Sequence, residues 1–579
     1  MSSPFPVSLL RFRAHVSRLL RIRQFHSTLL WAAVIGFLAA WSSLAFRGLI
    51  RLAQHGLTGH EGHIVEVAMA LTPAVRIIVP TLGGLLAGLA RHLGSRLLPA
   101  RAPDYLEAIV VGDGVIPVRA SIVRAFSSLM SIASGSSIGR EGAIVQIAAT
   151  TASGVGRRLS LSPQRLRLLT ACGAAAGIAA AYNAPLAGAV FVAEIVFGAI
   201  SMDTFGVVVF SSVVATVTLR LVSNVGPEFQ AGPFHVTSGW ELPVYLALGV
   251  VAGVLAPLFL RLLRASHVVF ALLRLPVYLR LALGGLVVGI VSVLEPRVWG
   301  NGYGVIDSLL HSPWAFRAVL FMLVLKLVAT AASTGSGAIG GVFTPTLFVG
   351  AALGMIFGIP VHQLWPATTA PAQAYAIVGM GAFLAATTHA PIMAMLVVFE
   401  MSLDYDILPP LMLACVVAFY AARAIDPRSI YAEALAARQP HRSSSHLPPV
   451  VTAADIMRVH TSTVRSDATP AEAARVFSRH PDDELFVIDD AGHFLGAISL
   501  QSADGLARSI AMLSLLDPDH PRVPREEPLS SVIDTFTRAA CDRIAVIKSV
   551  QDPLLVGSIS RGDVTDAVVH YLGESAPRR

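Results

Sequence analysis

From about residue 29 to about residue 425, long apolar runs follow one another with very few charges between them. Charged residues make up 14% of the whole chain, whereas an ordinary soluble domain has about 25%. A chain of 579 residues with so little charge needs lipid around most of its surface. We therefore predict an all-α, multi-span membrane domain over residues 29–435, preceded by a basic segment over residues 1–28.

The apolar runs are unusually short and interrupted. Several are shorter than the roughly 20 residues that a membrane-crossing helix needs, and Gly, Ser and Pro separate them. Broken helices at membrane depth are tolerated only where they are buried in protein or line a cavity. This pattern is typical of a transporter or channel rather than a receptor. The runs lie at about 29–52, 74–96, 165–181, 184–200, 203–223, 241–264, 278–295, 316–333, 373–386, 390–402 and 409–424.

The basic segment predicts the orientation of the chain. Residues 1–28 contain five arginines and no acid, and positive charge beside a first span favours the cytoplasmic side. The apolar run Leu29–Leu49 is too long for the core of a typical signal peptide, so we interpret it as a retained span. Topology and lipid headgroups account for the net charge of +7, and no nucleic-acid partner is predicted.

The apolar part contains an internal repeat. Pro185 precedes Glu194 by nine positions, and Pro391 precedes Glu400 by the same number, each pair after a stretch rich in Gly and Ala. A Gly- and Ser-rich turn stands upstream of each pair at nearly the same offset. Two related halves with broken helices in matching places predict a substrate site between the halves.

The two Gly-rich turns have the chemistry of anion sites. Gly135–Gly142 is a loop that leads into a helix, and its glycines leave backbone N–H groups accessible. A helix N-terminus carries about half a positive charge, so it binds an anion without a Lys or Arg. Gly340–Pro345 shares these features, with Pro345 early in a helix, where its missing N–H costs little.

Glu141 lies inside the first of these loops and admits two interpretations. An ionised Glu141 competes with an anion for the same N–H donors, so it closes the site, and its protonation or displacement opens it. Alternatively, it is an ordinary first-turn Glu that interacts with the helix dipole. The pattern alone leaves both interpretations open.

Several separated motifs resemble signature elements of the CLC chloride channel and transporter family. They are Gly139–Gly142, Asn183–Gly188 and Gly341–Pro345, and Ser429–Tyr431 is similar to that family's late pore tyrosine. Their order and approximate spacing fit over about residues 30–435, most closely for the ClcB-like bacterial branch. The resemblance implies a homodimer in the inner (plasma) membrane, with one anion path per subunit and two inverted halves of tilted, broken helices.

The resemblance also implies roles for individual residues. Glu141 is then the gate, and the Tyr431 hydroxyl and the amides of Val342 and Phe343 coordinate the central chloride or similar small anion. The implied anion-binding set is Gly139, Arg140, Gly142, Val342, Phe343 and Tyr431.

Two departures from the family pattern affect the expected mechanism. The early family motif Gly-Ser-Gly-Ile-Pro has its nearest match in Gly112–Pro117, with Asp113 in place of the anion-binding serine. An ionised Asp113 cannot bind an anion directly. Either another group replaces the serine, or Asp113 lies outside the pore in a turn, which Asp-Gly favours. Ile195 occupies the proton-relay position of coupled members, beside Glu194. Because isoleucine cannot relay a proton, a voltage-gated-type channel or weakly coupled carrier is favoured over a proton-coupled antiporter. Relay by Glu194 or a water chain stays open, as does a purely structural role for Glu194 and Glu400.

The C-terminal part has ordinary soluble composition. After a polar linker at 436–450, residues 451–579 contain two similar α/β units, 452–509 and 517–575. They resemble the tandem CBS domains found at the C-terminus of many CLC proteins, which we expect in the cytoplasm. Strands are predicted at 484–488, 495–499, 543–547 and 556–560.

Nucleotide binding by the tail is an open prediction. In CBS domains a hydroxyl residue followed three positions later by Asp holds a ribose, and Ser560 and Asp563 fit this spacing. The first unit has Ser499 and Ser502 at the matching places. An adenine nucleotide and a purely dimerising scaffold are therefore both compatible with the sequence. No other cofactor and no metal is expected, and the three cysteines are predicted to be buried thiols.

Two other function classes fit less well. A cation transporter with CBS domains would need several acids converging in the pore, where Glu141 stands alone. An intramembrane enzyme would need a catalytic Ser/His or His-Glu-x-x-His pattern, and neither occurs. His389, before Ala-Pro, is interpreted as a packing residue at a loop end.

Overall fold

The structure is a computed structural model. It describes all residues except 1–4, 98–101, 111, 199–201, 224–228, 230–236, 433–450, 460–461, 470–471, 474–475, 477–483, 500–515, 540, 542, 561 and 565–579, and it leaves the side chains of residues 5–26, 97, 202–203 and 537–538 undescribed. The predicted linker at 436–450 and Ser502 therefore lie outside the described residues.

The chain divides into two compact units, which are residues 26–438 and residues 1–25 with 439–579. The first unit is helical, and eight helices among the described residues are long and apolar enough to cross a membrane. The helices up to residue 425 are α1 (Phe5–Thr58), α2 (Ile64–Ala70), α3 (Pro73–Leu97), α4 (Tyr105–Val110), α5 (Val118–Ala133), α6 (Glu141–Arg158), α7 (Pro163–Tyr182), α8 (Pro185–Phe191), α9 (Met202–Ser223), α10 (Leu242–Leu272), α11 (Val277–Leu294), α12 (Tyr303–His311), α13 (Phe316–Ser336), α14 (Phe343–Leu364), α15 (Ala372–Thr388), α16 (Pro391–Ser402) and α17 (Leu408–Ile425).

The internal repeat is visible in the backbone. Asn183 ends α7 and His389 ends α15, both in the left-handed conformation, with φ values of 55° and 57°. A proline then opens the following helix in each half, α8 or α16. His389 is thus a loop-end residue, as predicted.

Close helix packing rests on glycine. A Cβ on Gly285 would lie 2.0 Å from the carbonyl oxygen of Pro80, where α11 crosses α3. A Cβ on Gly354 would lie 2.0 Å from the carbonyl oxygen of Tyr375, where α14 crosses α15. These contacts leave no room for a side chain, so the helices approach backbone to backbone as small residues allow in membranes.

The sequence-predicted apolar runs miss three long helices, α5, α6 and α14, and three short ones, α2, α4 and α12. α5 and α6 are rich in small residues, and each buries at least half of its residues within the protein. α14 is apolar, but it begins within the Gly-rich turn Gly340–Pro345, and no apolar run was predicted there. The predicted run at 184–200 is also not one α-helix, since α8 continues as a π-helix over Val192–Phe197.

The second unit contains two small sheets of identical topology. In each, the first strand pairs parallel to the second, which pairs antiparallel to the third. The strands are β1 (Thr463–Arg465), β2 (Glu484–Ile488), β3 (Phe494–Ser499), β4 (Arg522–Pro524), β5 (Arg543–Ile547) and β6 (Leu555–Ser560), with helices α18 (Ala453–Ile456) and α19 (Leu529–Arg538). The second helix predicted for each unit falls largely outside the described residues.

Candidate functional site

Two helix N-termini from the two halves meet inside the helical unit. α6 begins at Glu141 and α14 begins at Phe343. An antiparallel bridge joins the turns before them, with the Gly139 N–H donating to the Gly341 oxygen at 2.7 Å and the Gly341 N–H donating back at 2.9 Å. The positive ends of two helix dipoles therefore face the same place.

The Glu141 side chain occupies this place. It is 4% exposed, and its Oε1 accepts a hydrogen bond from the Thr344 N–H, in the first turn of α14, at 3.1 Å. A Cβ on Gly139 would lie 2.0 Å from both carboxylate oxygens, and one on Gly341 would lie 2.4 Å from Oε1. A side chain at either glycine would therefore displace the carboxylate from this position.

A cavity of about 640 Å³ opens beside the carboxylate. Of the predicted site residues, Glu141, Gly142, Val342, Phe343 and Tyr431 line it. Gly139 instead forms the bridge, and Arg140 is the N-cap residue of α6. Neither is among the lining residues, so five of the seven predicted positions line the cavity.

The cavity can hold an anion by backbone polarity. Among the described residues, the N–H groups of Val342 and Phe343 have no acceptor, and they are among the unpaired donors of a helix start. The Tyr431 ring packs edge-on against Phe191, with centroids 5.5 Å apart. A small anion in the cavity would therefore meet free donors, and the ionised Glu141 would compete for the same helix ends.

Arginines from other helices also line the cavity, and the sequence interpretation did not include them. Arg91 donates to the Gly337 oxygen after α13, and Arg124 donates to the Pro103 oxygen at 3.0 Å. Both guanidinium groups are thus tied to backbone carbonyls at the cavity wall. Their charge raises the local concentration of anions without placing a mobile cation in the path.

Asp113 lies outside the cavity. It is exposed, and its Oδ1 accepts from the Val115 N–H at 3.0 Å in a turn, as its Asp-Gly sequence predicts. The lining instead contains Ala102, Asp104 and Tyr105, at the start of the short helix α4. The cavity wall in this part of the chain is therefore formed by residues upstream of Gly112–Pro117.

Glu194 and Glu400 each accept hydrogen bonds from backbone N–H groups of the other half. Glu194 accepts from the N–H groups of Ile392 and Met393 at 3.3 and 2.8 Å, at the start of α16. Glu400 accepts from the N–H groups of Leu186 and Ala187 at 3.0 and 2.8 Å, at the start of α8. Each acid therefore caps the broken helix of the other half. Ile195 packs beside Glu194 against the hydrophobic core.

In the second unit, Ser560 and Asp563 contact each other. The Ser560 hydroxyl donates to Asp563 Oδ2 at 2.6 Å, and Arg458 Nε donates to Oδ1 at 2.7 Å. Burial raises the pKa of Asp563, but the Ser560 and Arg458 contacts outweigh it, so the net pKa is below the ordinary value. Among the described residues, His, Cys, Asp and Glu form no cluster suited to a metal ion.

The chain matches known proteins in both units. Residues 82–423 match the family described as voltage gated chloride channel, and residues 453–503 match the CBS domain. It is 51% identical over 423 residues to a putative chloride channel protein, ClcB-like, of Ralstonia nicotianae, covering 72% of this chain and 98% of that protein. It is 44% identical over 411 residues to the voltage-gated ClC-type chloride channel ClcB of Salmonella typhimurium, covering 70% and 97%.

Solved structures share the fold. A slow cyanobacterial Cl⁻/H⁺ antiporter superposes with a TM-score of 0.64 at 25% identity, covering 71% of this chain and 97% of that chain. A eukaryotic CLC transporter superposes with a TM-score of 0.63 at 19% identity, covering 93% and 97%. The likeness to the latter extends over most of the sequence.

Proposed function

Because the chain belongs to the voltage-gated chloride channel (CLC) family, a family of multi-pass membrane proteins that transport chloride, we propose that it moves chloride or a similar small anion through the cavity at α6 and α14, with Glu141 as the gate. The observation that carries the proposal is the Glu141 carboxylate on the N-terminus of α14. The carboxylate accepts a hydrogen bond from the Thr344 N–H, a donor at a helix N-terminus that a bound anion would otherwise use.

Gating follows from charge at one position. The ionised carboxylate and a chloride ion cannot share the helix ends, because like charges in a poorly solvated site repel strongly. Protonation removes that charge, and rotation of the side chain removes the carboxylate itself. Protonation lets an anion approach without charge repulsion, and rotation also frees the Thr344 N–H for the anion. Gly142, Val342, Phe343 and Tyr431 then form the anion-binding surface, with Gly139 and Arg140 holding the loop.

Conduction without tight proton coupling is the favoured mode. Ile195 stands where coupled members carry an acid. Both carboxylate oxygens of Glu194 accept hydrogen bonds from backbone N–H groups at the start of α16. A relay at Glu194 would need to break those bonds in every cycle. The second candidate is Cl⁻/H⁺ exchange, which the 25% identity to a cyanobacterial antiporter favours.

We further propose a homodimer in the inner membrane, with the N-terminus and the CBS region in the cytoplasm. The arginines within residues 1–28 support this orientation. The CBS region can regulate transport by binding an adenine nucleotide at Ser560 and Asp563. A ribose there would have to displace Arg458 from Asp563 or share that carboxylate with it.

The test is chloride efflux from proteoliposomes in which valinomycin carries the compensating K⁺. We expect chloride efflux that moves no protons uphill. Absence of chloride efflux from correctly reconstituted protein would overturn the proposal. Uphill proton movement driven by a chloride gradient at fixed stoichiometry would replace the channel mode by the antiporter.

A further inference from the structure

The cavity is lined by four residues with hydroxyl groups, and they divide into two kinds. Thr346 and Thr388 donate to carbonyl oxygens of their own helices, both at 2.7 Å. Tyr105 and Tyr431 are different, because neither phenol hydroxyl has a hydrogen-bond partner among the described residues. Two phenol hydroxyls therefore remain available to a ligand inside the cavity.

Tyr105 lies close to the rest of the site. It is near enough to Tyr431 and to Glu141 to interact electrostatically with both, and all three residues line the same cavity. The Tyr105 hydroxyl is therefore close both to the gate carboxylate and to the late tyrosine.

The backbone around Tyr105 is held firmly. The Tyr105 N–H donates to Gln146 Oε1 at 3.0 Å, and Gln146 Nε2 donates to Ser121 Oγ at 3.0 Å. Arg124 donates to the Pro103 oxygen at 3.0 Å on the other side. Side chains from α5 and α6 thus fix the start of α4, and with it the origin of the Tyr105 ring. Such support is what an ion-binding group needs.

We propose that the Tyr105 hydroxyl is a chloride ligand, so that the anion is held between two phenol donors, Tyr105 and Tyr431. The inference rests on the proposed function and deepens it, because it assigns the hydroxyl that the chain lacks at Asp113. A phenol O–H is a single donor on a rigid ring, so the distance between the two donors is set by the rings. The pair therefore contributes to selectivity between chloride and larger anions such as nitrate.

The experiment measures chloride binding to the full-length protein in detergent by titration calorimetry. Tyr105→Phe removes one oxygen and keeps the ring. We expect it to weaken chloride binding about tenfold, as loss of a hydrogen bond to a charged group does. Tyr431→Phe should weaken binding by a similar factor, and relative chloride and nitrate flux should change in both variants. Tyr420→Phe is the matched control, because Tyr420 is 66% exposed on α17, and it should bind chloride like the wild type.

The outcomes separate this inference from the proposed function. Wild-type chloride flux together with unchanged binding and selectivity in Tyr105→Phe would overturn the Tyr105 assignment alone. Absence of chloride flux in the wild type would overturn the proposed function itself. If Tyr105→Phe does not fold, anomalous scattering from bromide in wild-type crystals decides: a peak in contact with both phenol oxygens supports the assignment, and a peak in contact with Tyr431 but not Tyr105 contradicts it.

Discussion

Glu194 and Glu400 hold equivalent places in the two halves of the membrane unit, and they do the same work. Each accepts hydrogen bonds from two N–H groups at the start of the other half's broken helix. The helix starts α6 and α14 are also equivalent, but they differ in charge. α6 opens with Glu141, whereas α14 opens with Phe343 and has no acid in its first turn.

This difference distinguishes acids that support the fold from the acid that controls anion passage. A pair of acids that serves both halves equally stabilises the fold, and two such acids preserve the symmetry of the repeat. A single acid at the meeting point of two helix ends has no counterpart to balance it. We therefore assign stabilisation of the fold to Glu194 and Glu400, and control of anion passage to Glu141.

Glu400→Ala should have the largest effect on stability. It leaves the N–H groups of Leu186 and Ala187 without their acceptor in a buried place, where Glu400 is 8% exposed. We expect the free energy of unfolding in detergent to fall by about 3 kcal/mol, measured by denaturant or thermal unfolding. An unchanged unfolding midpoint would remove Glu400 from the support of the fold.

Glu194→Ala sharpens the comparison, because the effect should have the same sign and a smaller size. Glu194 is more exposed than Glu400, and one of its bonds is long at 3.3 Å. We expect a loss of about 1.5 kcal/mol in the same unfolding measurement. A variant with normal stability and altered proton movement would break the symmetry and make Glu194 a relay.

Gly341→Ala tests the gating role of Glu141, in contrast to the supporting role of Glu194 and Glu400. Its Cβ would overlap the Glu141 carboxylate at 2.4 Å, and the flexible end of that side chain can move away. We expect chloride efflux at neutral pH to rise about tenfold, which corresponds to about 1.4 kcal/mol.

The control for this variant lies on the same helix as the gate. Gly154→Ala in α6 meets nothing within 4 Å and should leave the flux unchanged. Equal flux in Gly341→Ala and the wild type would mean that the carboxylate position does not limit passage.

The smallest effect is expected in the CBS region. Its two repeats differ at one position, where the first has Ser502 and the second has Asp563. The pKa of Asp563 lies below its ordinary value, so its contribution is present above about pH 4 and is lost as the pH falls through the folded pKa. Arg458 is largely exposed, so Asp563→Asn should cost about 0.5–1 kcal/mol at neutral pH. Hydrogen exchange of the β6 amides in the full-length protein measures this loss, and exchange equal to the wild type would contradict it.

Local patterns in the sequence predicted some elements to the residue. β2 and β5 coincide with the predicted strands at 484–488 and 543–547, because each is a short continuous apolar run, mostly of β-branched and aromatic residues. A helix after the Gly135–Gly142 loop was also predicted, although α6 already begins at Glu141, inside the predicted loop. Buried thiols were also predicted correctly, since all three cysteines are buried and free.

The long-range contacts could not be predicted in the same way. The bond from Thr344 to Glu141 and the approach of Tyr105 to Tyr431 join distant parts of the chain. Tyr105 carries no local signal of a ligand, because Pro-Asp before it predicts only a turn. By contrast, the turn at Asp113 could be predicted from its local Asp-Gly sequence alone.

The pH dependence of chloride efflux in Glu141→Gln tests the central claim most directly. Wild-type efflux should increase as the pH is lowered from about 7.5 to about 4.5, because protonation neutralises the Glu141 carboxylate. We predict that Glu141→Gln gives high efflux that is independent of pH, while Glu400→Gln keeps the wild-type profile per folded protein. A wild-type pH profile in Glu141→Gln would contradict the account.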